Sequence, residues 1–433
     1  VGVPIALPIS VTRKPGDTVI RAEHLTKIFG PRPDEALELL KRGHSKDEIR
    51  EANSHVVGVN DVSFRLKRGE FFVIMGLSGS GKSTLLRCLN RLIPPTGGRV
   101  VLETDDGEID VGEANAKQLR DIRTRHLTMV FQRFGLLPHR SVRDNVAYGL
   151  EIQGIDRRAR IERSERALDM VGLAGWGLSR TSELSGGMQQ RVGLARALAT
   201  EAEVMLMDEP FSALDPLIKM QMQAEMIKLQ RDLGKTIVFI THDLDEALRL
   251  GDRIAIMEDG RVVQLGTPER IITEPATAYV ADFVEHADPT HVISAGTVSV
   301  ELDHERIDVL RHDSDGRVLV HRTQADVEIE IGADERVREV RADGGRAELV
   351  PVDALLSEPT PVMRHRDRAA VVRADRPLRT LLEARNLVNL PVLVVDDHDR
   401  LIGLVTEREI IYSIIEKRGR DAFNGGADAE VAA

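Results

Sequence analysis

The stretch FFVIMGLSGSGKSTLL, residues 71–86, runs from an apolar segment through a glycine- and serine-rich turn into a leucine-rich one. FFVIM has no alternation of polar and apolar residues, as a strand covered on both faces requires. KSTLLRCLNRL places its apolar residues at helical spacing, and Pro94 and Pro95 stop it. Between strand and helix, GLSGSGKS fits G-x-x-x-x-G-K-[ST] in the setting the pattern needs. Gly76, Gly79 and Gly81, with Ser78 among them, let the backbone curl so that its N–H groups point at phosphate oxygens. Lys82 then reaches the β- and γ-phosphates and Ser83 offers its hydroxyl to Mg²⁺. Thr84 follows as the helix begins, and the helix N-terminus adds partial positive charge.

Working outward, VMLMDEP (204–210) is a second apolar strand, ending in two carboxylates. Asp208 at its end is placed to hold the Mg²⁺ shell, and Glu209 to polarise an attacking water. An acidic turn after a core strand is the plainer alternative for an isolated Asp-Glu; here it competes with a matched phosphate loop. FITHDLDEA (239–247) puts His242 just past another apolar strand, at the carboxyl end of a parallel sheet where ligands bind in such folds. That position favours a γ-phosphate contact over a merely structural histidine. Gln132, in MVFQRFGLLPH, is a glutamine after a strand and says little by itself.

LSGGMQQRVGLARAL (184–198) carries another Ser-Gly-Gly turn at a helix start, formed by Ser185, Gly186 and Gly187. It reads as a second anion-binding helix N-terminus, or as an ordinary cap at Ser185. One nucleotide needs only one cradle. A second makes sense if two chains pack head to tail, each giving its turn to the other's nucleotide.

The chain of 433 residues is long enough for two or three domains. Its 59 basic and 70 acidic residues leave a net charge of −11, which argues against nucleic acid as the main partner. The lone cysteine, Cys88, excludes an intramolecular disulfide, points to a reducing compartment and reads as a buried, inert thiol. No run reaches the ~20 apolar residues of a membrane span. VGVPIALPIS at the start is short, proline-broken and without a basic region, so a signal peptide is not expected. Residues 1–20 are an N-terminal extension. VIRAEHLTKIFG then reads as a strand, 31–55 as a charged helical insert and VVGVNDVSFRLKRGE as a second strand. Strands alternating with helices through residue 285 predict a mostly parallel α/β sheet. After 285–295 the texture becomes β-branched and turn-rich, marking a domain boundary.

GLSGSGKST, FQ, LSGGMQQR, MDEP, SALD and TH occur in that functional set along residues 19–285. Together they resemble the ATP-binding subunit of an ABC transporter. The insert after KIFG, the phrase FVIMGLSGSGKST and the run LMDEPFSALDPLI narrow the resemblance to the subunits that power glycine betaine/proline importers. It implies an α/β cassette over residues 21–285, with a RecA-like core, a helical subdomain and an antiparallel β part. It further implies that Phe29 stacks on adenine, and that Gln132 touches Mg²⁺ and relays the γ-phosphate state to membrane subunits. Ser185, Gly186 and Gly187 would clamp the opposite chain's γ-phosphate, and Asp215 of SALD would bridge the dimer. The implied cofactors are ATP and Mg²⁺. The implied partners are a second copy, transmembrane permease subunits and, indirectly, a solute-binding protein. The implied location is the cytoplasmic face of the inner membrane. An importer for another small solute, such as an amino acid, is the alternative. A soluble non-transport ATPase of the same family is disfavoured by the single cassette and the acidic balance.

Within 290–433, LRTLLEARNLVNLPVLVVDDHDRLIGLVTEREIIYSII resembles one CBS repeat, making this a smaller α+β regulatory domain. The expected first repeat, within 290–357, departs from the pattern, leaving a diverged half or a single motif, and a sensor or a plain dimerisation module. MRHRDRAAVVRADRPLR carries Arg364, Arg366, Arg368, Arg373, Arg376 and Arg379. This run reads as a solvated, ion-paired face or as a surface for anionic lipid.

Overall fold

The computed structural model describes residues 16–132, 135–212, 214–285, 287–304, 307–313, 316–321, 324–358 and 364–416. The first fifteen residues of the N-terminal extension lie outside them. The chain divides into two compact units, 1–267 and 268–433. Two short helices, Pro268–Thr273 and Ala278–Val284, therefore count with the second unit, ahead of the compositional change near 285.

The strands of the first unit are β1 (Thr18–Phe29), β2 (Val56–Lys67), β3 (Phe71–Met75), β4 (Gly97–Thr104), β5 (Gly107–Asp110), β6 (Leu127–Val130), β7 (Val204–Asp208), β8 (Thr236–Thr241), β9 (Arg253–Glu258) and β10 (Arg261–Gly266). The central sheet has the order β10-β9-β3-β8-β7-β6. It is parallel throughout except for β10, which pairs antiparallel with β9. β3, β7 and β8 are buried along their whole length, as their unbroken apolar runs predict.

Register decides where the motifs emerge. Met75 lies opposite Thr241, Ile240 opposite Asp208, and Met207 opposite Val130. The residues that follow these strand ends (Gly76, His242, Glu209, Phe131 and Gln132) therefore leave the sheet side by side on its carboxyl edge. A second, antiparallel sheet has the order β2-β1-β4-β5 and carries Phe29 at the end of β1. Phe64 of β2 stacks on Phe72 of β3, with centroids 5.0 Å apart, and joins the two sheets in one core.

The insert folds as helices Pro33–Lys41 and Lys46–Asn53, and Ser45 and Glu48 form a capping box at the start of the second. Ala36 and Ile49 bury against Ile28 and Val57 of the flanking strands. Helices Arg157–Met170 and Gly186–Ala199 pack on each other and on the short helix Val142–Val146, forming the helical part of the unit.

In the second unit the strands are β11 (Val300–Glu301), β12 (Ile307–Asp313), β13 (Gly316–His321), β14 (Gln324–Gly332), β15 (Val337–Ala342), β16 (Gly345–Pro351), β17 (Arg368–Arg373), β18 (Val392–Val395) and β19 (Leu401–Val405). They form one sheet in the order β11-β19-β18-β17-β16-β15-β14-β13-β12. β12 to β16 are an antiparallel meander, whereas β16, β17 and β18 run parallel. Alternation along β18 builds a core on each face. Val392 and Val394 pack with Leu378 and Leu381 of helix Leu378–Leu387, while Leu393 and Val395 pack with Ile329 and Leu319. The helix, two strands and final helix read in 378–416 are all present.

Five of the six arginines in the run are ion-paired. Arg364 contacts Glu407, Arg368 meets Glu358 at 2.7 Å, Arg373 contacts Asp397, Arg376 contacts Asp353, and Arg379 meets Glu383 at 3.0 Å. These contacts support the solvated, ion-paired reading. Among the described residues, no helix is long and apolar enough to cross a membrane.

Candidate active site

The phosphate loop follows a backbone path that glycine alone takes easily at two points. Gly76 and Gly81 have φ of +150° and +98°, and a Cβ on them would run into the carbonyl oxygens of Met257 and Gly58. The loop is thus pressed between the β9–β10 hairpin and β2. Its crest, Leu77, Ser78 and Gly79, is exposed. Lys82 at the helix start is buried, and its Nζ donates to the carbonyls of Gly76 (2.8 Å) and Leu77 (2.9 Å), bridging the loop. Burial lowers its pKa, against the opposing pull of Glu209 and Asp208. Thr84, half-buried, lies with Phe29 beside Gly58. Phe29 is 40% exposed at the end of β1, with the Lys27 ammonium 5.1 Å from its ring centroid.

The three strand-end motifs converge on this loop. Ser83 Oγ donates to Asp208 Oδ1 at 2.7 Å, so the hydroxyl and carboxylate read separately from two motifs meet in space. Arg87 Nη2 donates to the other oxygen, Asp208 Oδ2, at 3.0 Å. Glu209, the next residue, has φ of +45°, a strained backbone for a non-glycine residue. Its Oε2 accepts from Gln132 Nε2 at 3.2 Å, and its Oε1 lies 3.6 Å from His242 Nδ1. Gln132 and His242 are exposed, and Glu209 is partly covered between them.

The residues fit the groups expected here. Two hard oxygen donors, Ser83 Oγ and Asp208 Oδ1, stand within one coordination sphere of each other, which suits Mg²⁺ better than a softer metal. The exposed crest of the loop, where the Cβ position at Gly79 meets open space, leaves the backbone open to an approaching phosphate.

Ser185, Gly186 and Gly187 sit elsewhere in the unit, at the start of helix Gly186–Ala199 in the helical part. Ser185 caps that helix, accepting from the Met188 N–H at 3.3 Å, and both Ser185 and Gly186 are exposed. Gly187 faces Leu214 and Ile218 of the segment around Asp215. Asp215, also exposed, caps helix Pro216–Leu233 through the Ile218 N–H at 3.2 Å. The turn and the segment around Asp215 therefore lie together.

The sequence reading misses Arg87, although its i,i+4 spacing from Ser83 puts both on one helix face toward Asp208. It also misses Gly58 and Gly260. The Gly260 N–H donates to the Ser80 carbonyl (3.0 Å) and its carbonyl accepts from the Asn60 N–H (2.8 Å), bracing the loop from behind. Nothing local in the sequence marks such long-range backbone bonds.

Residues 59–212 match the model of the ABC transporter family. The glycine betaine/carnitine transport ATP-binding protein of Listeria monocytogenes is 43% identical across 91% of this chain and 97% of its own length. The chain belongs to the ABC transporter ATP-binding proteins. Within that family, the glycine betaine transport ATP-binding protein of Bacillus subtilis is 42% identical over 93% of each chain. The trimethylamine N-oxide transport system ATP-binding protein of Ruegeria pomeroyi is 54% identical over 66% of this chain and 82% of its own. The two betaine relatives extend through the second unit, so both units are shared with them. An ABC ATP-binding protein binds ATP.

Proposed function

We propose that this chain is the ATP-hydrolysing subunit that powers import of an osmoprotectant, a quaternary amine such as glycine betaine or choline, or proline. It would work through transmembrane permease subunits at the cytoplasmic face of the inner membrane, fed by a solute-binding protein. The observation that carries the ATPase reading is Glu209, held between Gln132 and His242 next to the Ser83–Asp208 pair. The solute rests on the two full-length betaine relatives.

In this reading the loop amides from Gly76 to Ser83, Lys82 and Thr84 bind the phosphates, and Phe29 takes the adenine face. Ser83, Asp208 and Gln132 would hold Mg²⁺, which when bound neutralises charge on the β- and γ-phosphate oxygens. Glu209 orients a water against the γ-phosphorus and accepts its proton as the new P–O bond forms and the β–γ bridging bond breaks, releasing ADP. His242 donates to the transferring group, stabilising its charge. Ser185, Gly186 and Gly187 close on the ATP of a second copy, and Asp215 lies across the same dimer junction. That arrangement gives a use to the second Ser-Gly-Gly turn of the chain. The second unit is the regulatory, CBS-like domain.

The test is uptake of labelled glycine betaine in cells carrying wild type or Glu209→Gln, at low and high external osmolarity. Proline, choline and trimethylamine N-oxide serve as competitors. Uptake that needs Glu209 and rises with osmolarity is the expected result. Glu209-independent uptake would remove the osmoprotectant assignment.

A further inference from the structure

His242 is exposed, and its neighbour across the site is Glu209 at 3.6 Å, so its placement must come from the backbone on either side. Both flanking residues are anchored to one buried polar network. The Asp243 N–H donates to Thr241 Oγ1 at 3.0 Å, and Thr241 Oγ1 itself donates to Glu246 Oε2. Asp243 Oδ1 accepts from the Glu246 N–H at 3.2 Å. The cation facing these carboxylates is Lys219, whose Nζ lies 2.6 Å from Asp243 Oδ2 and 3.0 Å from Glu246 Oε1. Gln223, one turn further along the same helix, donates to Glu246 Oε1 at 3.1 Å.

Lys219 stands in the first turn of helix Pro216–Leu233, and its N–H donates to the Asp215 carbonyl at 2.9 Å. A single side chain thus ties the helix that Asp215 opens to both neighbours of His242. Burial works against charge on Lys219, yet its bonds to Asp243 and Glu246 prevail and raise its pKa. Asp243 is favoured in the ionised form in the same way: burial opposes its charge, and the bond from Lys219, the backbone N–H groups of Glu246 and Asp245 and the Lys219 charge together lower its pKa. With Lys219 gone, two carboxylates, one of them buried, would face each other uncompensated, and the Thr241–Glu246 turn would have to rearrange.

We propose that Lys219 is a positioning residue that fixes His242 through Asp243 and Glu246 and makes that placement depend on the segment carrying Asp215. The proposal rests on the reading of His242 as a γ-phosphate contact and of Asp215 as a dimer residue. Movement of Asp215 at the junction with a second copy is then transmitted, through one rigid ion-pair network, to the histidine of the same chain's site. Hydrolysis responds to pairing of the two chains by this route, without any change in how the nucleotide itself is held.

The experiment compares wild type, Lys219→Met, Lys219→Arg, Asp243→Asn and His242→Ala in the purified full chain. Steady-state Mg-ATP hydrolysis is read beside equilibrium binding of fluorescent MANT-ATP. Lys219→Met is expected to lower kcat about tenfold while KM and the MANT-ATP Kd stay within about twofold, the pattern of an interaction used in the transition state. Lys219→Arg keeps the charge and is expected to recover most of kcat. Asp243→Asn, nearly isosteric, should reproduce the loss without Arg-type rescue, and keeps the test sound if Lys219→Met folds poorly. Wild-type kcat in both Lys219→Met and Asp243→Asn, with His242→Ala inactive, would overturn the coupling and leave the site reading intact. So would a kcat loss matched by equal rises in KM and Kd, which marks general damage. Wild-type kcat in His242→Ala would instead remove the histidine's role, and the proposal with it.

Discussion

Glu209 holds its carboxylate on a left-handed backbone with φ of +45°, an arrangement that costs energy and persists only where neighbours enforce it. The enforcing neighbours are the fully buried β7 on one side and the Gln132 and His242 contacts on the other. A glutamine keeps the size and the acceptor oxygen of Glu209 but cannot take a proton from water. Glu209→Gln is therefore expected to lower kcat on the order of 10²–10⁴-fold, the usual worth of a general base, with the MANT-ATP Kd nearly unchanged. Binding lost in step with turnover would mean that Glu209 shapes the phosphate site and does not act on water. Arg87 makes a contrasting case. It neutralises Asp208 from outside, so Arg87→Ala is expected to change the Mg²⁺ dependence of hydrolysis and leave metal-free MANT-ATP binding unaffected.

Helix Lys82–Leu89 shows how much of an element can be read from its own residues and how much cannot. The Gly-x-x-x-x-Gly-Lys-Ser pattern, the apolar strand before it and the prolines after it are local, and so are the buried runs of β7 and β8. Each is visible in sequence because a short-range rule produces it. The order β10-β9-β3-β8-β7-β6 and the bonds between Ser83 and Asp208 or Lys219 and Asp243 join residues far apart in the chain, and no local rule produces them. The nine-stranded sheet of the second unit is hidden for the same reason, since β16 switches from antiparallel to parallel pairing at its two edges. Two consequences belong to the helix itself. Gly81 starts it at φ of +98° against the Gly58 carbonyl, so Gly81→Ala should destabilise the protein by at least about 1–3 kcal/mol in denaturant melts and weaken MANT-ATP binding. Cys88 is buried, and burial pushes its thiol up to about 12. The neutral thiol therefore persists well above pH 8. Iodoacetamide is expected to label it very slowly in the native protein and readily in urea, and fast native labelling would contradict the packing of this helix.

At the scale of the whole molecule, each unit holds apolar core of its own. One core joins β1, β2, β3, β4, β7 and β8, and two others cover the faces of the second unit's sheet. A unit with its own core folds by itself if its cut end removes no part of that core. Division by compactness puts the end of the first unit at Thr267, ahead of two helices whose Ile271, Ile272, Val280 and Val284 are buried. The sequence texture instead carries the cassette on to residue 285. These two boundaries make different predictions for fragments ending at Thr267 and at Glu285. If the division lies at Thr267, the shorter fragment should be soluble, melt in one cooperative transition and bind MANT-ATP with the Kd of the full chain. The longer one should expose the apolar faces of two helices and tend to associate. If the helices belong to the cassette, the shorter fragment should be the one that aggregates, and the longer should bind and melt normally. The outcome also bears on regulation. Helices folded with the second unit would be pulled by any rearrangement there, because Glu269 accepts hydrogen bonds from Ser294 and Thr297 at the start of the helix Ala295–Val298. Breaking that junction with Glu269→Ala should leave Mg-ATP hydrolysis by the purified chain near wild type and lower the melting temperature of the second unit alone.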